Sequence, residues 1–584
     1  MYLPDEDEVA HLKYGCLPEV TISSLTETGR MESSIQVPLQ RRYTSRKPVI
    51  PSSLANTPCA DLGTDGLLDL LNTTLGTSYA RNTTALSSLL ESYITSNYDF
   101  GTAYAHLRPR WYDDLTTIKV KLHSREALDK GMRQDVLVDN RIIEPRVPPR
   151  RIWDLCSNRV VPWWIIRWRP WGISHAWMDE KDRSEVWTPI NGREWPVPIP
   201  NDANLDLIRI EMLNLGAEYV WLDVLCLGQR GGGNDNLRKE EWRLDVPTIG
   251  WVYLRANKVV YYLSGLGRPL GFKAGDLGSD RCWFRRAWTL QEVSKNSVIA
   301  GDTGDEGNTV EEDVRARFHD QLSSLESMRS DHSVFDVLSR MQNRASTYPV
   351  DKVAGLAHLL QSLEIPAYCG TQSEEGAWTA LVNLMSNRSH RGQMFFLYPE
   401  PGNGNSRWRP SWKQVMTEIL PSTYKTLLFD GCLPQGMEDA DQYEGYCIES
   451  AYVRGLSERD PQGQPRRGEF IAKDGNGTSH TFAIVATHQY PIPDGTYALI
   501  CSDPYDGSSY KEGTYEFGKQ YWVVGKSMPG QRFEKVSVFE LNGSEQIKRA
   551  VDPGILKARP GFYSCGGILR EGGFYSRICY TYLV

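Results

Sequence analysis

The sequence predicts an α/β protein: a doubly wound, mostly parallel sheet flanked by helical regions and followed by a β-rich C-terminal domain. Three observations carry this. Between residues 171 and 301, short apolar runs alternate with segments of helical period, the pattern of strands covered on both faces and their crossover helices. Residues 66–133 and 310–390 repeat apolar positions at helical spacing. Beyond residue 430, strand-forming runs are broken by Gly, Pro, Asp and Asn. With 584 residues, the chain is too long for one hydrophobic core.

In chain order, residues 1–60 mix charges, Ser, Thr and Pro without a period and read as loosely ordered, with one strand. Residues 61–150 form a small helical region (LLDLLNTTL, ALSSLLESYI, YAHLRPRWYDDL) that ends in a linker-like EPRVPPR at 144–150. The α/β domain spans 151–305 and opens on a cluster of indoles: Trp153, Trp163, Trp164, Trp168, Trp171 and Trp177. Within it, WGISHAW (171–177), YVWLDVLCL (219–227), KVVYYLSG (258–265) and SVIAG (297–301) read as strands. ANLDLIRIEMLNLG (203–216), with its Gly stop, and LRKEEWRLDVPTIGWVYLRA (237–256) read as helices, and CWFRRAWTLQEV (282–293) as a short one. A helical extension covers 306–430. The β-rich domain covers 431–584, with TFAIVATH, TYALICSD, QYWVVGKS and KVSVFEL as its strands.

Composition narrows the function classes. The net charge of −8 is spread over 65 basic and 73 acidic residues, which argues against nucleic acid or an anionic membrane as the main partner. No leader-like apolar start and no run of spanning length is visible, and the 11 cysteines are scattered without a C-x-x-C. The expectation is a cytoplasmic protein with reduced thiols and no metal site.

The polar residues that interrupt apolar elements are the candidates for chemistry. Stepping about 100° per residue, Trp283, Phe284, Ala287, Trp288 and Leu290 share one arc of the 282–293 helix. Gln291 falls inside that arc, and Glu292 lies at its border, one turn from Trp288. A carboxylate there is either a satisfied anchor or the lip of a cleft, because burying it unpaired costs several kcal/mol. His175 interrupts the first buried strand and reads as a hydrogen-bonded core histidine. Asp223 lies mid-strand in Trp221–Leu225 and reads equally as an anchor for loops or as a site residue. Cys226 with His175 and Asp223 suggests a thiol hydrolase, but residues three apart on a strand face opposite ways, so Cys226 reads as a small core residue. The glycines of Gln229–Asn234 match neither phosphate-binding pattern and read as flexibility. Glu240 and Glu241 read as solvated helix surface.

WGISHAW, YVWLDVLCLGQ and RRAWTLQEV, in this order and separation, resemble the blocks of the fungal heterokaryon incompatibility (HET) domain. YPVDKVAGL (348–356) resembles a block that often follows, and RWRPSW (407–412) is a weaker echo of a later one. The chain departs from the pattern at His175, where the family often has Tyr, and at Leu227-Gly228, where Ile-Asp is common. The resemblance implies a role in fungal non-self recognition, innate immunity and programmed cell death. HET domains are in turn remotely similar to TIR domains, whose enzymatic members cleave NAD with the glutamate of W-x-x-x-E; Trp288–Glu292 fits that spacing. On this resemblance the α/β domain is TIR-like. Glu292 is catalytic, and Ser174, His175, Asp223, Trp288 and Gln291 bind substrate. NAD is then a substrate, with no cofactor and no metal, and the partners are proteins or further copies of the chain. The alternative the resemblance implies is a non-catalytic module signalling through homotypic HET contacts.

Overall fold

The computed structural model describes residues 17–80, 84–166, 168–271, 276–303, 312–326, 333–360, 362–385, 388–404, 406–422, 441–474, 476–502, 509–511, 514–516, 518–550 and 579–583. The chain divides into two compact units: Met1–Ser327 with Arg344–His358 and Ala367–Cys369, and Met328–Asn343 with Leu359–Pro366 and Gly370–Val584.

The first unit is built on a mixed six-stranded sheet. Four strands run parallel: β1 (Trp171–His175), β2 (Tyr219–Leu222), β3 (Val259–Tyr262) and β4 (Ser297–Ile299). They lie in the order β4-β3-β1-β2, and antiparallel strands Arg151–Asp154 and Arg159–Pro162 extend the sheet beyond β2. The chain thus moves from β1 to one side, then returns past it to the other. Register places Tyr262 beside His175 and Tyr261 beside Ser174. Ile173, Val220, Leu222, Val259 and Val260 are wholly enclosed, as expected for runs with no polar alternation. The antiparallel pair was hidden in the indole-rich stretch: Ile152 and Val161 pack with Ile165 and Ile166 under Trp163, Trp164 and Trp168.

Several expected elements take another form. YVWLDVLCL is not one strand. It stops at Leu222, and Asp223–Cys226 form a helical turn, with the Asp223 carboxylate accepting the amide of Val224 at 2.8 Å. Residues 282–293 are not one helix either. They form two 3₁₀ turns, Trp283–Arg285 and Trp288–Leu290, because Arg286 is extended and bridges Ala345: Ala287 N donates to Ala345 O at 2.9 Å. The Thr289 hydroxyl also competes for the carbonyls of Trp283 and Arg286, at 2.6 and 2.9 Å.

Residues 17–60 differ from a loosely ordered segment. Val20–Ser23 pairs with Arg42–Ser45, and Glu27 meets Arg209 at 3.4 Å with both side chains sealed. Residues 1–16 of that expected segment lie outside the described residues. EPRVPPR is not a free linker: the Arg133 Nη2 donates to the carbonyls of Pro148 and Pro149, and Arg150 pairs with Asp245 at 2.7 Å. Glu241 is not solvated surface, since Arg151 grips both of its oxygens at 2.8 and 2.9 Å; Glu240 is exposed, as expected.

The second unit carries the β-rich C-terminal region. Strands Arg466–Lys473, Ser479–Ala486, Arg532–Asn542, Lys519–Met528, Gly495–Cys501 and Asp441–Arg454 neighbour one another in that order. Asp441–Arg454 also pairs with Arg466–Lys473, closing the sheet on itself, and a register shift between Ile448 and Ala451 marks where the strand turns. Phe470, Phe482, Trp522 and Phe539 fill the enclosed space, with Phe470 and Phe482 stacked at 4.7 Å. Among the described residues of the chain, no helix is long and apolar enough to cross a membrane.

Candidate functional site

Ligands of open α/β sheets lodge outside the carboxyl ends of the strands, where the strand order reverses. Here the reversal falls at β1, whose last two residues are Ser174 and His175. Successive strand residues face opposite sides, so the two side chains open two polar contacts around one strand end.

His175 Nε2 lies 2.8 Å from Asp223 Oδ1. Asp223 stands where β2 gives way to its helical turn, and its Oδ2 accepts the indole N–H of Trp177 at 3.0 Å. Trp177 in turn stacks on the His175 ring at 5.5 Å. Burial alone would lower the affinity of His175 for its proton. The charge and hydrogen bond of Asp223, helped by Glu292, outweigh it, so the imidazole is held above its ordinary range.

On the other side, Ser174 Oγ donates to Glu292 Oε2 at 2.5 Å and accepts the indole N–H of Trp283 at 2.7 Å. Ser174 is completely enclosed, while Glu292 keeps 8% of its surface. Glu292 Oε1 accepts no hydrogen bond among the described residues, and it is not sealed from solvent. Burial, with the repulsion of Asp223 added, pushes the Glu292 carboxyl up to about 7; Ser174, His175 and Arg344 pull the other way. Arg344 steadies the turn that carries Glu292 by donating to Thr289 Oγ1 at 2.8 Å.

Glu211 of the helix Leu205–Leu215 provides the contrast. It is also buried, but both of its oxygens are engaged: Oε1 accepts Gly301 N at 2.9 Å, and Oε2 accepts Gln40 Nε2 at 2.8 Å and the hydroxyl of Tyr262. That is a structural anchor. Among the described residues Glu292 uses one oxygen and leaves the other, which is the arrangement of a group that can still act on something.

The remaining candidates fall elsewhere. Trp288 acts on the carboxyl of Asp351, and the indole that hydrogen-bonds the Ser174–Glu292 pair is Trp283. Gln291 is 3% exposed, and among the described residues neither amide atom has a hydrogen-bond partner; its Oε1 and His358 both crowd the space over Gly250. Cys226 shares the turn with Asp223 after all, because the strand has ended. Burial nevertheless pushes its thiol up to about 12, so no thiolate is at hand. Sequence reasoning missed Trp283, Tyr253 and Arg344. Tyr253 donates to Ile173 O at 2.9 Å under β1. Trp283 lies in the same stretch as Trp288, and spacing alone does not say which indole faces Glu292.

Among the described residues, no group of three or more His, Cys, Asp or Glu side chains is placed to hold a metal ion. No family model matches the chain, and neither a curated protein nor a solved structure matches it.

Proposed function

We propose that residues 151–305 of the first unit form a TIR-like HET domain that hydrolyses the nicotinamide–ribose bond of NAD, with Glu292 as the catalytic carboxylate. The observation that carries this reading is Glu292 itself: one oxygen held by Ser174, the other unengaged among the described residues, beside the strand at which the sheet order reverses. The order β2-β1-β3-β4 is that of doubly wound, flavodoxin-like sheets, which supports a nucleotide at this end. In the reaction the C–N bond breaks, its electron pair leaves with neutral nicotinamide, and the ribose carbon becomes cationic. An ionised Glu292 stabilises that cation until water adds, and the proton lost by water is taken up by solvent or by Glu292. The His175–Asp223 pair contributes a fixed pair of opposite charges at the same strand end. The biological setting that fits is non-self recognition and regulated cell death, triggered by a protein partner or by self-association.

The second reading is a non-catalytic module signalling through homotypic contacts, and the small exposure of Glu292 favours it. Incubating the concentrated full chain with NAD separates the two. Nicotinamide release by the wild type, abolished in Glu292→Gln, supports the enzyme. No release by the folded wild type, clustered or not, favours the module, and release unchanged in the variant overturns the assignment of Glu292.

A further inference from the structure

We infer that Trp283 is the positioning residue for Glu292, acting through Ser174, and that Ser174 is a relay between them rather than a substrate contact. The inference rests on the reading of Glu292 as the working acid, but its test is independent of turnover.

The argument is one of hydrogen-bond polarity. An indole N–H only donates, so Trp283 Nε1, 2.7 Å from Ser174 Oγ, must use a lone pair of that oxygen. The single hydroxyl proton of Ser174 is then directed to Glu292 Oε2, 2.5 Å away. The chain N–H···O–H···O has one direction, and it ends on the carboxylate. Ser174 and Trp283 are both wholly enclosed, so neither reaches a ligand. Trp283 is itself immobilised: its ring lies 5.0 Å from that of Tyr261 and 5.2 Å from that of Phe284. A rigid donor thus fixes a hydroxyl, and the hydroxyl fixes which carboxylate oxygen is engaged and which is left over. The charged and titratable groups that also act on Glu292 are Asp223, His175 and Arg344; Glu292 acts in turn on Tyr253, and the Tyr261 hydroxyl lies 3.5 Å from the Glu292 carbonyl oxygen. None of them hydrogen-bonds its carboxylate among the described residues.

The test follows the carboxylic-acid C=O band of Glu292 by infrared difference spectroscopy across pH 5–9 in the full chain, the band being identified by its loss in Glu292→Gln. Ser174→Ala removes a hydrogen bond to the ionised form, and the midpoint should rise by about one pH unit. Trp283→Phe keeps a ring but loses the N–H; the midpoint should move the same way by less, and Ser174→Thr should restore the wild-type value. If the midpoint in either Ser174→Ala or Trp283→Phe equals that of the wild type while the variant stays folded, the relay is overturned. If the midpoints shift but the wild type releases no nicotinamide, the relay stands and the proposed reaction falls. Should Trp283→Phe fail to fold, the indole N–H resonance of Trp283 in Ser174→Ala decides: it should shift from its wild-type position as its acceptor is lost, and an unmoved resonance overturns the relay.

Discussion

His175 and Asp223 are 48 residues apart in the chain, yet His175 Nε2 and Asp223 Oδ1 are in contact at 2.8 Å. Parallel neighbours β1 and β2 bring them together, each at its strand's carboxyl end. Asp223→Asn keeps the shape and removes the charge. With Asp223 neutral, burial becomes the dominant influence on His175, and its titration midpoint, followed by NMR of the imidazole, should fall below the ordinary histidine value. The sign for stability follows. A histidine raised on folding contributes stability that is full below its unfolded pKa and lost as pH rises through the folded one. The stability lost by Asp223→Asn should therefore be larger at pH 5.5 than at pH 8.5. An equal loss at both would show that the imidazole is neutral throughout.

Glu292→Gln should stabilise the folded chain at alkaline pH while abolishing nicotinamide release. The folded carboxyl is raised to about 7, so the folded state holds a proton that the unfolded state has released above its own, lower pKa. Wild-type stability then falls as pH rises from about 4.5 to about 7, and levels off above that, with a total cost of up to about 3 kcal/mol. The amide variant avoids that cost and still accepts from Ser174. Denaturant unfolding at pH 5 and pH 8 measures the difference. A variant less stable than wild type at both values would mark Glu292 as an anchor like Glu211.

Cys226 should be silent. At 1% exposure and with its thiol pushed up to about 12, it should resist iodoacetamide at pH 8 under native conditions, whereas Cys369 is exposed and should react. Mass spectrometry of peptides after brief labelling distinguishes the two, and Cys226→Ala should leave any turnover within twofold of wild type. Rapid native labelling of Cys226 would reopen the thiol chemistry that its neighbours Asp223 and His175 suggest on paper.

Strands β2 and β3 were readable because each is an apolar run with no alternation: Tyr219–Leu222 and Val259–Tyr262 are buried at every position. The closed β region was readable as strands, but not its closure, which depends on Asp441–Arg454 pairing on both edges. What escaped was decided by contacts remote in sequence. Helical spacing at 282–293 failed because Ala345 takes the backbone hydrogen bonds that a helix would have kept. The pairing of Ser174 with Glu292 spans 118 residues and leaves no local mark. Glu241 looks like any surface acid until Arg151, 90 residues earlier, closes on it. The candidate residues were individually visible; which of them touch was not.

Gly172 of β1 shows how tightly the ground beneath the site is packed. A Cβ there would lie 2.9 Å from Tyr253 Cδ1 and 3.0 Å from its Cε1. Tyr253 is 2% exposed, meets Trp221 edge-on at 5.4 Å and is tied by its hydroxyl to Ile173 O, so it has little room to give. Its position also bears on the acids, since Glu292 and Asp223 both act on the Tyr253 hydroxyl, which burial first of all holds well above the usual phenol range. Gly172→Ala should destabilise the chain by about 1–3 kcal/mol through overpacking, and Tyr253→Phe should cost about 1 kcal/mol through its lost hydrogen bond. The double variant should cost less than the sum, because both changes act on one ring. Denaturant midpoints of the four proteins give the coupling directly. Strict additivity would mean that the Tyr253 hydroxyl does not hold the ring against residue 172, and a Gly172→Ala cost near zero that glycine is not needed there for close approach.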